Sequence, residues 1–259
     1  MDEIGTVFIP APRDGGRERL AVRHLPGDGP GVLWLGGFMS DMTGTKATAL
    51  LDWGRRTGRS VTVFDYSGHG ASDGSFVDGT VGRWLADARA VLDAFRPGPT
   101  ILVGSSMGGW IALLLARALL SQAPGTIVGV VLIAPAPDFT ERLMWASFPE
   151  EARRAILEEG VHRIPSAYGE PYPITRALIE DGRRHLLMDG EIEVGCPIHI
   201  LQGTADAEVP VAHAMALAEL VPGDDLVLSL VKGGDHRLSR PEDIALLLAA
   251  VETIDHRPD

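Results

Sequence analysis

Apolar runs and helical periodicities alternate along this chain. Short continuous apolar stretches at 32–35, 61–65, 101–103 and 128–134, then at 198–201 and 226–230, read as buried strands. Between them lie segments with apolar residues at helical spacing: one running to about Thr57, then 80–95, 111–120, 211–220 and 241–254. In the second of these, Val81, Trp84, Leu85, Ala88, Val91 and Leu92 share one face. Asp41 or Thr43 is placed to cap the first, and Pro241 is a typical first helical residue for the last. Residues 6–9 and 19–25 predict a β-hairpin at a sheet edge, joined by the turn-rich stretch 10–16. Residues 26–31 predict a loop. Fully apolar strands alternating with helices imply an α/β fold, a mostly parallel central sheet covered on both faces.

The rhythm breaks between about 135 and 195. Residues 148–159 and 174–181 look helical, a Pro/Tyr/Gly stretch at 164–173 separates them, and no strand is evident. The insertion is too long for a plain connection. It predicts a small helical cap over the mouth of a site, within one domain spanning 1–259. Phe139, Met144, Trp145, Phe148, Tyr168 and Tyr172 are its candidates for lining a pocket, or equally for holding the cap on the sheet.

Length and composition narrow the class. The 259 residues are 45% hydrophobic and 22% charged, so the chain can bury a large core and does not have a disordered composition. The net charge of −12 argues against nucleic acid or an anionic membrane surface as the main partner. The lone Cys196 rules out an internal disulfide and reads as a buried structural thiol. No run is long enough to span a bilayer, and the acidic first residues resemble neither a signal nor a transit peptide. A cytoplasmic setting is expected.

The chemistry centres on Gly104-Ser-Ser106-Met-Gly108, a G-x-S-x-G elbow between the 101–103 strand and the following helix. Glycines let strand and helix close around a strained serine at the apex, and the helix N-terminus favours developing negative charge. Taken alone, the same pattern fits the strand-to-helix turn of a nucleotide-binding fold. A serine nucleophile needs a base oriented by a carboxylate, and this architecture delivers them in the order Ser, acid, His. Asp206 follows the strand 198–201 at the standard distance and is preferred to its neighbour Glu208. His236 lies in the glycine loop after 226–230. His69 precedes the nucleophile, His199 lies inside a strand, and His24, His162, His185, His213 and His256 have no motif context. No cluster has metal-ligand spacing. The N–H groups of Met107 and of Phe38, after Gly36-Gly37, are the expected oxyanion donors. Met39, His69, Trp110, Trp145 and Phe148 are the candidate substrate-binding side chains.

Four segments, 37–47, 65–75, 103–110 and 235–237, together with Trp84 and 206–210, carry a resemblance to a known family. The chain resembles α/β-hydrolase-fold proteins. Among them it is similar to the abhydrolase-domain group with palmitoyl-protein thioesterase and mycophenolic-acid acyl-glucuronide esterase activities. The resemblance implies a serine hydrolase of carboxylic esters or thioesters, acting through an acyl-enzyme on Ser106. It implies no cofactor, and a substrate that is a small-molecule or protein-linked acyl group. Two other readings remain open at this point: a C–C bond hydrolase or lyase on the same triad, and a non-catalytic binding protein on the same scaffold.

Overall fold

The computed structural model describes residues 4–13, 17–95, 98–166 and 169–255, and the side chains of 165–170 are not considered. Tyr168 and His256 therefore lie outside the described residues, as do parts of the first turn and of the C-terminal tail. Eight strands form the main sheet: β1 (Val7–Pro10), β2 (Arg19–Leu25), β3 (Asp28–Leu35), β4 (Arg59–Phe64), β5 (Thr100–Ser105), β6 (Ile127–Ile133), β9 (Ile198–Gly203) and β10 (Leu226–Val231). Their order is β1-β2-β4-β3-β5-β6-β9-β10. The five pairings from β4 through β10 are parallel, and β1–β2 and β2–β4 are antiparallel. The expected edge hairpin is β1–β2.

The apolar runs are continuous because both faces of the sheet are covered. On β5, Ile101 and Val103 enter one core with residues of α1 (Thr45–Thr57) and α7 (Pro241–Asp255). Leu102 enters the opposite core, with α2 (Val81–Phe95), α3 (Met107–Gln122) and α6 (Val211–Leu220). β3 alternates the same way, Val32 and Trp34 to one side and Leu33 and Leu35 to the other.

Some expectations are corrected. β3 starts at Asp28, so the segment read as a loop at 26–31 is largely strand, with a register shift between Asp28 and Val32. Helix α1 is preceded by Gly44 in extended conformation with no side-chain cap. Asp41 instead closes its own short turn, accepting from the N–H of Thr43 at 2.7 Å.

The largest correction is in the insertion between β6 and β9, which is not purely helical. A π-helical turn, Thr140–Trp145, leads to α4 (Glu150–Arg154) and a second π-helical turn, Ala155–Glu159. Two strands follow, β7 (Val161–Ser166) and β8 (Gly169–Thr175), paired antiparallel with each other only. Then comes α5 (Arg176–Gly182), whose Thr175 side chain accepts from the N–H of Leu178 at 3.1 Å. Asp138, with no exposed surface, fastens the two ends of this excursion. Its carboxylate accepts from the N–H groups of Leu187 and Met188, both at 2.8 Å. Against the sheet domain, Asp181 of α5 accepts from the N–H of Gly82 at the start of α2, at 2.6 Å.

Candidate active site

Strand β5 delivers Ser106 into a backbone conformation with φ 53° and ψ −117° before α3 begins. A non-glycine residue held at positive φ costs about 1–3 kcal/mol, so the surroundings must over-determine it. They do: the N–H of Ser106 donates to the carbonyl of Ile133 at 2.9 Å. The carbonyl of Ser106 accepts from Gly109 at 2.9 Å and Ala136 at 3.1 Å. A Cβ on Gly104 would collide with the Gly108 carbonyl, and one on Gly108 with the carbonyls of Leu35 and Gly36. Only glycine lets β5, α3 and β3 close this tightly. The first N–H groups of α3, Met107 foremost, are left without intrahelical partners.

Two loops at the carboxyl ends of β9 and β10 bring the remaining groups to Ser106. His236 Nε2 lies 3.0 Å from Ser106 Oγ, and Nδ1 lies 2.8 Å from Asp206 Oδ2. With the proton on Nδ1, every hydrogen bond in this chain has one donor: Ser106 O–H to Nε2, and Nδ1–H to Asp206. The two loops are tied by the N–H of Ala205 to the Gly234 carbonyl at 2.9 Å and of Gly233 to Thr204 Oγ1 at 2.8 Å. A Cβ on Gly203 would strike the Gly234 carbonyl, so their close approach is a glycine–glycine crossing.

The Asp206 side chain is fully enclosed. Burial pushes its carboxyl up, but the His236 hydrogen bond, the N–H groups of Val209 (2.8 Å) and Glu208 (2.9 Å) and the imidazole charge outweigh that and leave it below its ordinary value. Asp206, not Glu208, faces Nδ1. Glu208 is 68% exposed and its nearest oxygen is 3.6 Å from Nε2, on the serine side of the ring.

Phe38 and Met39 form the centre of a turn packed on the elbow. The N–H of Ser40 donates to the Gly37 carbonyl at 3.2 Å, and Ser40 Oγ donates to the same oxygen at 2.7 Å. A Cβ on Gly37 would sit 3.6 Å from that of Ser106, so this backbone lies against the serine. Met39 has φ 57°, whereas Phe38 is not among the positive-φ residues, which makes this a type II turn. Asp65, 2% exposed at the end of β4, ties the turn's exit to the neighbouring glycine loop. It accepts from the N–H of Met42 at 2.7 Å and of Ala71 at 2.8 Å.

The ring of Phe38 meets Phe76 and Trp84 at 5.0 and 5.9 Å, and Phe139 and Tyr172 of the insertion at 5.7 and 6.2 Å. The insertion thus touches the turn beside Ser106. Met39 is 50% exposed there. Trp110 is a correction: it is wholly enclosed, with its indole N–H on the His185 carbonyl at 3.2 Å and its ring on Phe139, so it is core and lines no open pocket. His69 is 4% exposed, so its ring offers no surface to a ligand either. Trp145 is half-buried under the guanidinium groups of Arg183 and Arg153, and Phe148 is half-buried against His162.

The other histidines have partners away from Ser106. His24 meets Thr62, His199 meets Ser229 and His213 faces the Pro137 carbonyl. Cys196 is half-buried, and burial pushes its thiol up to about 12.

Several supporting residues had no role assigned to them by the sequence. Gln202 lies buried beneath Asp206 and donates to its Oδ2 at 3.1 Å. Lys46 of α1 donates through Nζ to the Arg237 carbonyl at 2.5 Å, pinning the residue after His236. Burial lowers the Lys46 ammonium to about 8, against the raising effect of Asp235. A lone polar residue ending an apolar strand, such as Gln202, was the one visible signal.

The chain and its fold belong to a recognised class. The sequence profile described as the Alpha/beta hydrolase family matches residues 24–245, and the chain belongs to that family. It is 35% identical to the human palmitoyl-protein thioesterase ABHD10, mitochondrial, over 237 residues, 91% of this chain and 76% of that protein. The solved structure of mouse alpha/beta hydrolase domain-containing protein 10 superimposes with a TM-score of 0.86 at 33% identity, covering 96% of this chain and 98% of that one. A crystal structure of a candidate hydrolase from Agrobacterium vitis S4 gives a TM-score of 0.94 at 47% identity, covering 98% and 100%. Membership of that family makes the chain a hydrolase. Among the described residues no helix is long and apolar enough to cross a membrane.

Proposed function

We propose that Ser106, His236 and Asp206 are the catalytic triad of an acyl (thio)ester hydrolase, with the N–H groups of Phe38 and Met107 as its oxyanion hole. The observation that carries this is the unbroken hydrogen-bond chain from Ser106 Oγ through His236 to Asp206, at 3.0 and 2.8 Å, starting from a serine at φ 53°.

In the forward reaction Ser106 Oγ bonds to the acyl carbonyl carbon while its proton passes to His236 Nε2. Asp206 holds the imidazole and stabilises the imidazolium. The carbonyl oxygen, now an anion, is met by two N–H groups, each worth about 3–4 kcal/mol of barrier. The intermediate collapses, the C–S or C–O bond breaks, and the leaving thiol or alcohol departs with the proton from His236. Water then attacks the acyl-Ser106 ester by the same route, freeing the acid and returning the proton to Ser106. No cofactor takes part.

The name of the ABHD10 relatives, palmitoyl-protein thioesterase, supports a long-chain acyl thioester on a protein as the substrate, with a small-molecule acyl ester as the second candidate. Residues 135–195 act as a cap of the single domain 1–259. The half-buried Phe38 and Tyr172 meet at its base, backed by the buried Phe139, and give the acyl chain an apolar wall. Met39, exposed, and Trp145 and Phe148, half-buried, are the candidates for contacts further along the substrate. The relatives are mitochondrial by name. A reducing compartment, as expected of the cytoplasm, is the setting that suits a chain with one cysteine.

The test is turnover and labelling together. Ser106→Ala is expected to abolish hydrolysis of acyl thioesters and p-nitrophenyl esters, and a fluorophosphonate should label Ser106 in the parent protein. Full activity of the alanine variant would overturn the reading. Product analysis on matched oxygen esters and thioesters of increasing chain length then identifies the preferred substrate.

A further inference from the structure

His69 ends in a place that neither a packing role nor a substrate contact accounts for. It comes from the glycine loop after β4, and its ring is boxed edge to face by Tyr66, Phe76 and Trp84 at 5.8, 5.2 and 5.3 Å. Both ring nitrogens are nevertheless used. Nε2 lies 3.2 Å from the backbone nitrogen of Met39, and Nδ1 lies 3.3 Å from the carbonyl of Ser67. A carbonyl can only accept and an N–H can only donate, so the tautomer is fixed: the proton is on Nδ1, and Nε2 accepts from Met39. Burial of the ring works in the same direction, lowering the imidazole to about 4 and keeping Nε2 free to accept.

Met39 is the residue whose conformation needs explaining. It occupies the third position of a type II turn, at φ 57°, where glycine is the usual occupant. For a methionine the relaxed alternative is a type I turn. The two forms differ by a half-rotation of the peptide between the central residues, here Phe38–Met39. That rotation would turn the Met39 N–H away from His69. The hydrogen bond to Nε2 therefore exists only in the type II form.

The peptide on the other side of Phe38 is held from the opposite direction, by Ser40 Oγ and N–H on the Gly37 carbonyl. In a trans peptide the N–H points away from the carbonyl. Clamping the Gly37 oxygen thus aims the Phe38 N–H.

We propose that His69 is a positioning residue for the oxyanion hole: by accepting from the Met39 N–H it anchors the peptide on one side of Phe38, as Ser40 anchors the peptide on the other, so that the strained turn cannot relax and Phe38 is held from both sides beside Ser106. This rests on the reading of Phe38 as an oxyanion donor. The acceptor matters in the transition state, where charge develops on the carbonyl oxygen, and little in substrate binding.

The test begins with His69→Phe, which keeps an aromatic ring in the box and removes the acceptor. It is expected to lower kcat by roughly tenfold or more, short of the ~10²–10³ for outright loss of a donor, with KM changed less than about threefold. His69→Gln places an amide oxygen near the position of Nε2 and should recover most of that loss. Adding Met39→Gly to His69→Phe should also recover it, because glycine adopts the type II position without an anchor.

Full activity of His69→Phe would overturn the proposal. So would a loss that His69→Gln shares in full and that the added Met39→Gly leaves unrepaired, since that marks the ring as packing alone.

A measurement on the parent protein needs no variant to fold. The ¹⁵N shifts of the His69 ring should show Nδ1 protonated and Nε2 bare, and an Nε2–H tautomer would overturn the assignment. This outcome is independent of turnover. If Ser106→Ala kept its activity, the hydrolase reading would fall while the tautomer result still stood.

Discussion

Gln202 and His236 donate to the same oxygen of Asp206, the amide at 3.1 Å and the imidazole at 2.8 Å. Gln202 Nε2 also faces the carbonyls of Gly203 and Val209, at 3.3 and 3.0 Å, so only a donor fits there and the amide orientation is fixed. With Val209 and Glu208 on the other oxygen, the enclosed carboxylate is supplied with hydrogen bonds on both sides. Asp206→Asn should lower kcat by about 10³–10⁴ through the wrong imidazole tautomer. Gln202→Leu removes a bond to a charged group, worth about 1.5–3 kcal/mol, and should cost roughly tenfold or more in kcat with the fold intact. Steady-state kinetics alongside thermal melting check both. A fully active Gln202→Leu would show that the backbone donors alone hold Asp206.

Glu208 is the control for this assignment. It is 68% exposed and approaches the wrong nitrogen of His236. An exposed ion pair is worth at most about 1 kcal/mol, so Glu208→Gln should keep kcat within about fivefold. A hundredfold loss would transfer the acid role from Asp206 to Glu208.

The elbow's glycines make a sharper structural prediction. Gly108→Ala drives a Cβ into the carbonyl oxygens of Leu35 and Gly36, which belong to a central strand and its exit and cannot move aside. The cost should exceed about 3 kcal/mol, read as a large drop in melting temperature or loss of folded protein. Gly190→Ala meets nothing within 4 Å and should stay within about 0.5 kcal/mol of the parent. Equal effects at the two positions would refute the crowding argument.

Lys46 gives a pH signature. Its folded value of about 8 lies below the ordinary value of 10.5. Between these values the unfolded chain carries a proton that the folded one has lost, so unfolding free energy rises with pH across that window, by up to about 1.36 kcal/mol per unit. In Lys46→Met this contribution is gone. Denaturant titrations from pH 7 to 10 should show the difference between parent and variant growing above pH 8, and a flat difference would mean that Lys46 titrates as an exposed lysine does.

Much of this architecture could be read from the chain because its strands are buried on both faces. Runs such as Ile101–Val103 and Val130–Ile133 have no polar face to blur them, and the loops that follow carry Ser106, Asp206 and His236 in order. The insertion hid its hairpin for a physical reason. β7 and β8 pair only with each other, so each has one outer edge where a proline N costs no ladder bond. Pro171 and Pro173 therefore sit in a strand that their presence argued against. Trp110 misled differently: a tryptophan one turn from the nucleophile reads as a pocket wall, and only packing shows that its indole is spent on the His185 carbonyl. Of the supporting residues, Lys46 reaches Arg237 across 191 positions and Asp65 reaches Met42 across 23, pairings that leave no local pattern, whereas Gln202 acts four residues from Asp206 and shows only as a polar residue ending an apolar strand.

The Asp138 carboxylate has a consequence for how such chains diversify. It grips the N–H groups of Leu187 and Met188, across sequence separations of 49 and 50 residues, so the excursion between β6 and β9 leaves and returns through one knot. Among the described residues its hairpin strands pair with each other and not with the main sheet. The stretch is a graft on a stem: it can be lengthened, shortened or exchanged without unravelling a strand, so long as the stem keeps its carboxylate.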